Sequence, residues 1–255
     1  MAEAEGSIPF VSTTSLYSSP CASGGSFCMS RDRFGRVRVG SFPSTARPVR
    51  KGECHMVVTV AAERDLPAVE RLYRAVIEEM HGAPHDVWWE FGVHPTREGL
   101  RASASRGELI VARDGASATV GDGEVPPQEA SLLGACVVDG AQDAGYRTAA
   151  WPLSVPDHEV AVLHLLAVAP EGRGRGVARR LVAAAARAAR ARGARVLRLD
   201  VFDNNAPAIA LYRSCGFTDL GARAFAYDEG FTHGAHLMEL DLGLPGALDR
   251  METTR

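Results

Sequence analysis

The sequence lacks the features that are typical of nucleic-acid-binding proteins, membrane proteins and disulfide-rich secreted proteins. The formal net charge is −3 at pH 7, so no overall basic field points to nucleic acid as a partner. No uncharged apolar run approaches the roughly 20 residues of a membrane-spanning helix, because arginines interrupt the alanine-rich segment from Val177 to Ala191. Hydrophobic residues make up an ordinary 46%. We therefore expect a soluble globular protein without a nucleic-acid or membrane partner.

Cysteine is also scarce. The five cysteines, an odd number, include no CxxC pair, so neither a disulfide framework nor a zinc knuckle is expected, and a reducing cytosol fits best. His81 and His85 share the spacing of some metal ligands, but a glycine and a proline between them break the helix that would align them. We discount a metal there, and equally at His233 and His236. The sequence predicts a cytoplasmic protein without a metal.

The first 55 residues differ in composition from the rest. They are rich in serine, glycine, proline and arginine and show no hydrophobic periodicity, so they are not expected to bury enough apolar surface to fold alone. Three interpretations stay open: a disordered extension, a targeting peptide, or a segment upstream of a true start at Met56. The first and third are favoured, since no apolar core of a signal peptide is present. We expect one domain over 56–243 and a C-terminal tail over 244–255.

Ordered structure is predicted to begin at Met56. The segment MVVTV is rich in β-branched residues and predicts a strand. Asp65, with Pro67 in the first turn, is placed to cap the helix that follows. Thr96 is placed to cap a second helix, and ELIVARDG and SLLGACVVDG are predicted strands.

Two long loops precede a more regular second half. We predict polar loops at Gly115 to Glu129 and at Ala141 to Pro156, and loops of this length are usually functional or disordered. Beyond them, EVAVLHLLAVAP and ARVLRLDVF are predicted strands, separated by a helix that ends near Ala191. NNAPAIALYRSCG predicts a short helix. FTDLGARAFAYD and AHLMELDL predict two final antiparallel strands.

The stretch APEGRGRGVARRL, from Ala169 to Leu181, places three glycines between an apolar strand and a helix. The N–H groups of a helix's first turn have no internal partner, and the helix dipole adds partial positive charge there. Glycines let a diphosphate approach the backbone, and Arg173 and Arg175 add positive charge. The stretch therefore predicts an anion site; the competing interpretation is a plain turn with solvated arginines.

Two familiar phosphate-binding motifs do not match this stretch. The P-loop needs a lysine and a serine or threonine after its glycines, and this stretch has neither. The dinucleotide fingerprint G-x-G-x-x-G/A fails because its third position is Val177 or Arg179. Asp200 ends the next strand, where a ribose-binding acid would stand, so a nucleotide-binding oxidoreductase is kept as a weak alternative.

A third motif fits. Arg173 to Ala178 reads R-G-R-G-V-A and matches R/Q-x-x-G-x-G/A. Asn205 to Phe217 matches N-x-x-A-x-x-L-Y-x-x-x-G-F at every fixed position. These two motifs, in this order and spacing, resemble the GCN5-related N-acetyltransferase (GNAT) superfamily. The resemblance covers roughly Met56 to Leu242 and is strongest in the second half.

The resemblance implies an α/β (α+β) fold. Its central sheet would be mixed, mostly antiparallel, splayed between two central strands and flanked by helices. The co-substrate would be acetyl-CoA, with its pantetheine arm between strands Leu163–Val168 and Leu197–Phe202 and its pyrophosphate on the glycine-rich loop. The cofactor-binding residues that the resemblance implies are Leu166, Ala167, Val168, Arg173, Gly174, Arg175, Gly176, Val177, Ala178, Asn205 and Tyr212.

The resemblance also suggests the catalytic residues. Tyr212 would lie beside the thioester sulfur, where its phenol could protonate the leaving thiolate; the alternative is a tyrosine that packs a helix onto the sheet. Two bases are open. Asp200 lies where related ribosomal-protein-alanine acetyltransferases carry a catalytic glutamate, one methylene longer. His164 is the only polar residue in VLHLLAV, and a neutral imidazole suits proton abstraction, although a hydrogen-bonded core histidine is an equal alternative. Residues 157–159 could act through water.

The acceptor is expected between the loop His81 to Pro95 and the loop before Asp157. These segments hold aromatic side chains that could form apolar walls and acids that could attract a cation: Trp88, Trp89, Phe91, Tyr146, Trp151, Glu78, Glu79, Glu90 and Asp157. The equal alternative is that the aromatic residues anchor these loops to the core. The expected function is transfer of an acetyl group to a primary amine, on a small molecule or on a peptide or protein N-terminus, with a homodimer as an option. The competing hypothesis is a non-catalytic acyl-CoA-binding or regulatory module.

Overall fold

The computed structural model describes residues 56–115, 132–227 and 232–246, together with Leu248 and Met251. The predicted N-terminal extension, residues 1–55, lies outside the described residues, as does all but the first residue of the predicted loop Gly115 to Glu129.

The described strands form one seven-stranded mixed sheet in the order β1-β2-β3-β4-β5-β7-β6. The strands are β1 (Met56–Val60), β2 (Leu109–Asp114), β3 (Leu132–Asp139), β4 (Val160–Val168), β5 (Val196–Phe202), β6 (Thr218–Ala226) and β7 (Thr232–Asp241). Among them, every neighbouring pair is antiparallel except β4 and β5. This confirms the predicted sheet. It also argues against a nucleotide-binding oxidoreductase, which would need a doubly wound, mostly parallel sheet.

Helices cover both faces of the sheet. They are α1 (Leu66–Met80), α2 (Arg97–Ser105), α3 (Ala144–Arg147), α4 (Val177–Ala191) and α5 (Ala206–Ser214). Tyr73 of α1 is buried in one apolar layer with Val111 of β2, whereas Leu181 of α4 is buried in another with Ile110 of the same strand. Successive strand residues point to opposite faces, so β2 contributes to both layers and is almost wholly buried.

The central strands β4 and β5 separate after a short paired segment. Their parallel register joins only three residue pairs, from Val160 with Val196 to Val162 with Arg198, although β4 continues to Val168 and β5 to Phe202. Beyond the paired segment, the backbone N–H and C=O groups of β4 and β5 no longer hydrogen-bond to each other. The gap that results is the predicted splay.

A β-bulge in β4 lies beside this gap. Three steps along β4 face the two steps from Ala135 to Val137 on β3, so β4 carries one extra residue. Leu165 in the bulge has a φ of 54°, which is uncommon for a residue other than glycine. Its carbonyl oxygen accepts a hydrogen bond from the Tyr73 hydroxyl at 2.7 Å. Tyr73 thereby ties α1 to the bulge, a feature that the sequence pattern did not predict.

The two predicted helix caps differ in outcome. The Thr96 hydroxyl accepts the Gly99 N–H at 2.9 Å, as predicted. Asp65 precedes α1 but makes no side-chain cap to it. Its carboxylate instead accepts the Ala62 N–H at 2.8 Å and pairs with Arg113 at 2.9 Å. The prediction for Asp65 was wrong because the guanidinium of Arg113 is buried and needs a counter-charge.

Two segments predicted to be irregular contribute to the core. The loop Ala141 to Pro156 contains the short helix α3, and its Tyr146 is only 1% exposed. In the predicted tail, Leu248 and Met251 are 6% and 2% exposed and join the apolar layer of α4. Their burial extends the core beyond the last strand.

Candidate active site

The three glycines after β4 have different roles. Gly172 is buried, and a Cβ atom there would lie 2.7 Å from the carbonyl oxygen of Leu133, so this glycine serves close packing against β3. Gly174 and Gly176 have φ values of 71° and 75°, and a Cβ atom at either would meet nothing within 4 Å. Glycine is needed at these two positions for the backbone conformation alone.

The backbone around these glycines presents free N–H groups. Gly176 is the N-cap of α4, and the first N–H groups of a helix have no partner within it. Among the described residues, the N–H groups of Gly174 and of residues 176–179 donate to no carbonyl oxygen. Five free donors at the positive end of a 15-residue helix form a site for an anion such as a diphosphate.

The arginines of this loop are already paired, which the sequence did not predict. The guanidinium of Arg173 makes a two-pronged contact with the Glu79 carboxylate of α1, in which Nη2 lies 2.6 Å from Oε2. Nη2 of Arg175 lies 2.8 Å from Oδ2 of Asp114 on β2. Each arginine therefore meets a carboxylate, and the backbone N–H groups remain the main source of positive potential for a bound anion.

The other residues that were predicted to bind the cofactor lie along the gap and at the start of α4. Leu166 and Val168 are half-buried against the α4 layer, whereas Ala167 is 2% exposed and belongs to the α1 layer. Val177 is buried in the α4 layer, and Ala178 is half-buried. The bulge sets this alternation at the end of β4.

Tyr212 lies on α5 with its ring buried in the α4 layer. The side chain is 6% exposed, and its ring centroid lies 5.7 Å from that of Phe217. Burial raises the pKa of the Tyr212 phenol well above its ordinary value, and nearby Cys136 and Asp200 raise it further. The phenol is thus neutral at physiological pH, and its hydroxyl is available as a hydrogen-bond donor.

Two asparagines follow β5. Oδ1 of Asn205 accepts the Ala208 N–H at 3.2 Å and caps α5, so Nδ2 is the atom with which this side chain could reach a cofactor. Nδ2 of Asn204 donates to the carbonyl oxygen of Asp86 at 2.7 Å. Asn204 was not predicted as a site residue, and it ties the end of β5 to the loop after α1.

The Asp200 carboxylate is held by two phenols. Its Oδ1 accepts the Tyr146 hydroxyl at 2.7 Å, and its Oδ2 accepts the Tyr227 hydroxyl at 2.7 Å. Asp200 lies two residues beyond Arg198, the last residue of β5 that pairs with β4. The carboxylate therefore stands at the mouth of the gap, and both of its oxygens are already hydrogen-bonded.

His164 occupies the equivalent position on β4, and its Nε2 lies 3.2 Å from Oδ1 of Asp139. Although burial lowers it, the contact with Asp139 and the charges of Asp200 and Asp143 raise the pKa of His164 to about 8. The imidazole is then mostly protonated at neutral pH. A protonated imidazole cannot accept a proton, which counts against His164 as the general base.

His94 is a residue that the sequence analysis missed. It stands in the loop before α2, and its ring centroid lies 6.1 Å from that of Trp89. Burial and the charge of His164 lower the pKa of His94 to about 4. His94 is therefore neutral at physiological pH. The signal in the sequence was weak, since a single histidine before a proline carries no periodic pattern.

Four of the five aromatic residues predicted to line the acceptor site pack against other side chains, and one is exposed. Trp89 packs edge-on against Tyr73, and the guanidinium of Arg74 covers Phe91. Tyr146 and Trp151 stack on each other, with ring centroids 5.6 Å apart. Trp88 differs, because it is 46% exposed. Only this one of the five predicted aromatic residues presents a largely open surface.

Other chemistries find little support in the part of the chain that the structure describes. Burial raises the pKa of the Cys136 thiol to about 12 and raises that of Cys215, so neither offers a thiolate nucleophile. The described residues contain no group of three or more side chains that could hold a metal ion. No described helix has the length and apolar character needed to cross a membrane.

Comparison with known proteins finds similarity to acetyltransferases in sequence and in fold. Residues 122–217 match the acetyltransferase (GNAT) family. A 78-residue stretch is 41% identical to streptothricin acetyltransferase of Streptomyces lavendulae. The match covers 31% of this chain and 41% of that relative, so the chain spans about two fifths of the relative's length.

Two solved structures show a similar fold. An N-acetyltransferase from Staphylococcus aureus Mu50 is 17% identical with a TM-score of 0.51, covering 74% of this chain and 99% of its own. An acetyltransferase from Salmonella typhimurium, solved with its cofactor acetyl-CoA, is 18% identical with a TM-score of 0.50, covering 74% and 95%. Residues 122–217 are therefore similar in sequence to the acetyltransferase (GNAT) family, and the chain's fold, with its splayed mixed sheet, is similar to that of these two solved acetyltransferases.

Proposed function

We propose that this protein is an acetyl-CoA-dependent N-acetyltransferase that acts on a primary amine of a small molecule or of a peptide or protein N-terminus. The observation that carries the proposal is the gap between β4 and β5, which begins after the Val162–Arg198 pair. The gap leads from the free N–H groups at the start of α4 towards Asp200 and His164.

The residues present fit the proposed co-substrate. The N–H groups of Gly174 and residues 176–179 would hold the diphosphate. The unpaired edges of β4 and β5 could take up the amides of an extended arm as a strand takes up its neighbour. Bound acetyl-CoA would supply an acetyl thioester near Tyr212. Amine binding at the mouth of the gap would bring the nitrogen towards that thioester.

Two proton movements are required of the protein. A new C–N bond forms as the C–S bond breaks, so the sulfur leaves as a thiolate and the amine gives up a proton. The Tyr212 phenol, kept neutral by its raised pKa, would donate a hydrogen bond or a proton to the sulfur.

The base is the open part of the mechanism. Asp200 is occupied by two phenols, and His164 is mostly protonated at neutral pH. His94 is neutral, but its lowered pKa of about 4 makes it a weak base, so it could only pass the proton on, directly or through water. This engagement of both predicted bases is also the observation that favours the second candidate, a non-catalytic acyl-CoA-binding module.

One experiment separates the two candidates. The purified protein is incubated with acetyl-CoA and a panel of primary amines, and free thiol is measured alongside the acetylated amine. The enzyme hypothesis expects stoichiometric thiol release with at least one amine, above the rate of acetyl-CoA hydrolysis. Tight binding of CoA without acetylated product across the panel would support the binding module instead.

A further inference from the structure

The carboxylate of Asp200 differs from Asp139 and Glu239 in forming no direct ion pair among the described residues, although its charge acts on His164 at longer range. It is half-buried, and its two hydrogen bonds come from the neutral phenols of Tyr146 and Tyr227. By contrast, Asp139 lies 3.2 Å from His164, and the buried Glu239 accepts from Arg198 at 2.9 Å. A carboxylate that is partly removed from water without a directly paired counter-charge is costly. A cation that arrives from solution would compensate it.

Aromatic rings extend from this carboxylate to the surface. Tyr227, whose hydroxyl binds Asp200, lies edge-on to Phe202 with ring centroids 6.0 Å apart. Phe202 lies 5.6 Å from Trp88, and Trp88 lies 4.6 Å from His233. Phe202 is two residues beyond Asp200, on the same side of β5. The rings of Trp88, Phe202 and Tyr227 thus form a continuous aromatic wall beside the carboxylate.

The exposed end of this wall is held in an unfavourable backbone conformation. Trp88 has a φ of 53°, and such conformations persist where the surroundings enforce them, often at ligand sites. Asp86 enforces it, since its Oδ1 accepts the Trp88 N–H at 2.8 Å and its Oδ2 accepts the Gly82 N–H at 2.9 Å. Asn204 holds the carbonyl oxygen of Asp86 at 2.7 Å. The loop therefore presents the indole ring over Phe202 although the ring is 46% exposed.

We infer that Asp200 and the aromatic wall of Tyr227, Phe202 and Trp88 bind a positively charged group of the acceptor, separate from the amine that receives the acetyl group. Aromatic faces attract cations, and the carboxylate beside the wall supplies the counter-charge. The amine that attacks the thioester must be uncharged. The second group, bound at Asp200, stays positively charged, either as a protonated amine or as a quaternary ammonium. This inference rests on the proposed function, because it takes the mouth of the gap as the acceptor site.

The acceptor class that follows is a diamine or a larger polycation. Suitable probes are diaminoalkanes of three to six carbons, each compared with the amino alcohol of the same length. The two members of a pair differ in the far group, which is an ammonium in one and a hydroxyl in the other. Binding of each probe is measured by calorimetry without acetyl-CoA, and acetylation is measured with it.

We expect at least one diamine to bind about tenfold more tightly than its amino alcohol, which corresponds to about 1.4 kcal/mol. In Asp200→Asn this ratio should fall to about one, because the phenol hydroxyls can rotate to bond an amide while the charge is gone. Asp200→Glu should keep part of the ratio. Glu63→Gln is the matched control, since it removes a surface carboxylate whose side chain is 78% exposed and far from β5 in sequence.

The outcomes separate the two proposals. Equal binding of diamines and amino alcohols by the wild-type protein would overturn the cation site. An Asp200→Asn variant that still binds diamines more tightly than amino alcohols would also overturn the cation site. The same holds if Asp200→Asn slows acetylation of diamines and amino alcohols equally and leaves the ratio of their affinities unchanged. A preserved binding preference without any acetylated product would support the cation site and contradict the proposed enzyme function.

Discussion

Nε2 of His164 on β4 lies 3.2 Å from Oδ1 of Asp139 on β3, and this contact makes the stability of the fold depend on pH. The pKa of His164 is raised from 6.5 to about 8, and that of Asp139 is lowered from 3.8. A raised histidine pKa stabilises the fold fully below about pH 6.5, and the contribution is lost as the pH rises through 8. The depressed aspartate pKa contributes above about pH 4 and is lost as the pH falls further.

The first prediction is therefore a stability maximum for this pair between about pH 4 and pH 6.5. Asp139→Asn should cost up to about 2 kcal/mol at pH 6, because the pKa of His164 is raised from 6.5 to about 8, and clearly less at pH 9. Urea unfolding at both pH values measures it. His158→Gln is the control, since its side chain is 81% exposed and 3.9 Å from Glu159. Equal losses at both pH values for Asp139→Asn would contradict the assignment.

The second prediction separates the roles of the glycines. Gly174→Ala and Gly176→Ala should weaken CoA binding several-fold, because a left-handed conformation costs a non-glycine residue about 1–2 kcal/mol and relaxation would turn the N–H groups away. The control is Gly193→Ala just after the end of α4, where φ is 93° and the space is equally open. It should lower Tm similarly but leave CoA affinity unchanged. If the control weakens CoA binding to the same extent, the loop is not the anion site.

The third prediction concerns the ion pair between Arg173 and Glu79. Removing the carboxylate with Glu79→Gln takes negative charge from beside the loop and frees the guanidinium, so CoA should bind about two- to fivefold more tightly, in keeping with the ~0.2–1 kcal/mol of exposed pairs. The gain should shrink at high salt. Glu70→Gln is the matched control, because Glu70 lies on the same helix as Glu79 and pairs with Arg97 at 2.6 Å. Weaker CoA binding in Glu79→Gln alone would show that Glu79 positions the loop.

The fourth prediction tests the proton donor. Tyr212→Phe should lower kcat about 100-fold or more, within the range for general acid catalysis, and change the affinity for CoA less than twofold. Phe217→Leu alters the ring that packs against Tyr212 without removing a hydroxyl, and it should affect Tm more than kcat. Thiol release and calorimetry provide the two readouts. A Phe variant with wild-type kcat would remove Tyr212 from the chemistry.

The local pattern of the sequence was enough to predict the elements that position the site. The apolar stretches EVAVLHLLAVAP and ARVLRLDVF predicted the central strands, and the glycine-rich stretch predicted the entry to α4. Long-range pairings were not predictable, because nothing local marks them. Arg173 meets a carboxylate 94 residues away. The bulge at Leu165 depends on a hydroxyl of α1 that lies 92 residues earlier in the chain.

The same limit applies to the catalytic groups. The sequence analysis predicted Tyr212, Asp200 and His164 as site residues, but their proton chemistry depends on neighbours from other elements. The phenols that occupy Asp200 come from α3 and from beyond β6. The protonation of His164 is favoured by Asp139 on the neighbouring strand β3 and by the charges of Asp200 and Asp143. His94 gains its neutral state from burial in a loop with no periodic pattern.

A crystal structure of the protein with CoA tests the central claim most directly. We predict the diphosphate within hydrogen-bond distance of the N–H groups of residues 176–179, the arm between β4 and β5, and the sulfur beside the Tyr212 hydroxyl. A diphosphate bound elsewhere, or a sulfur remote from that hydroxyl, would contradict the account.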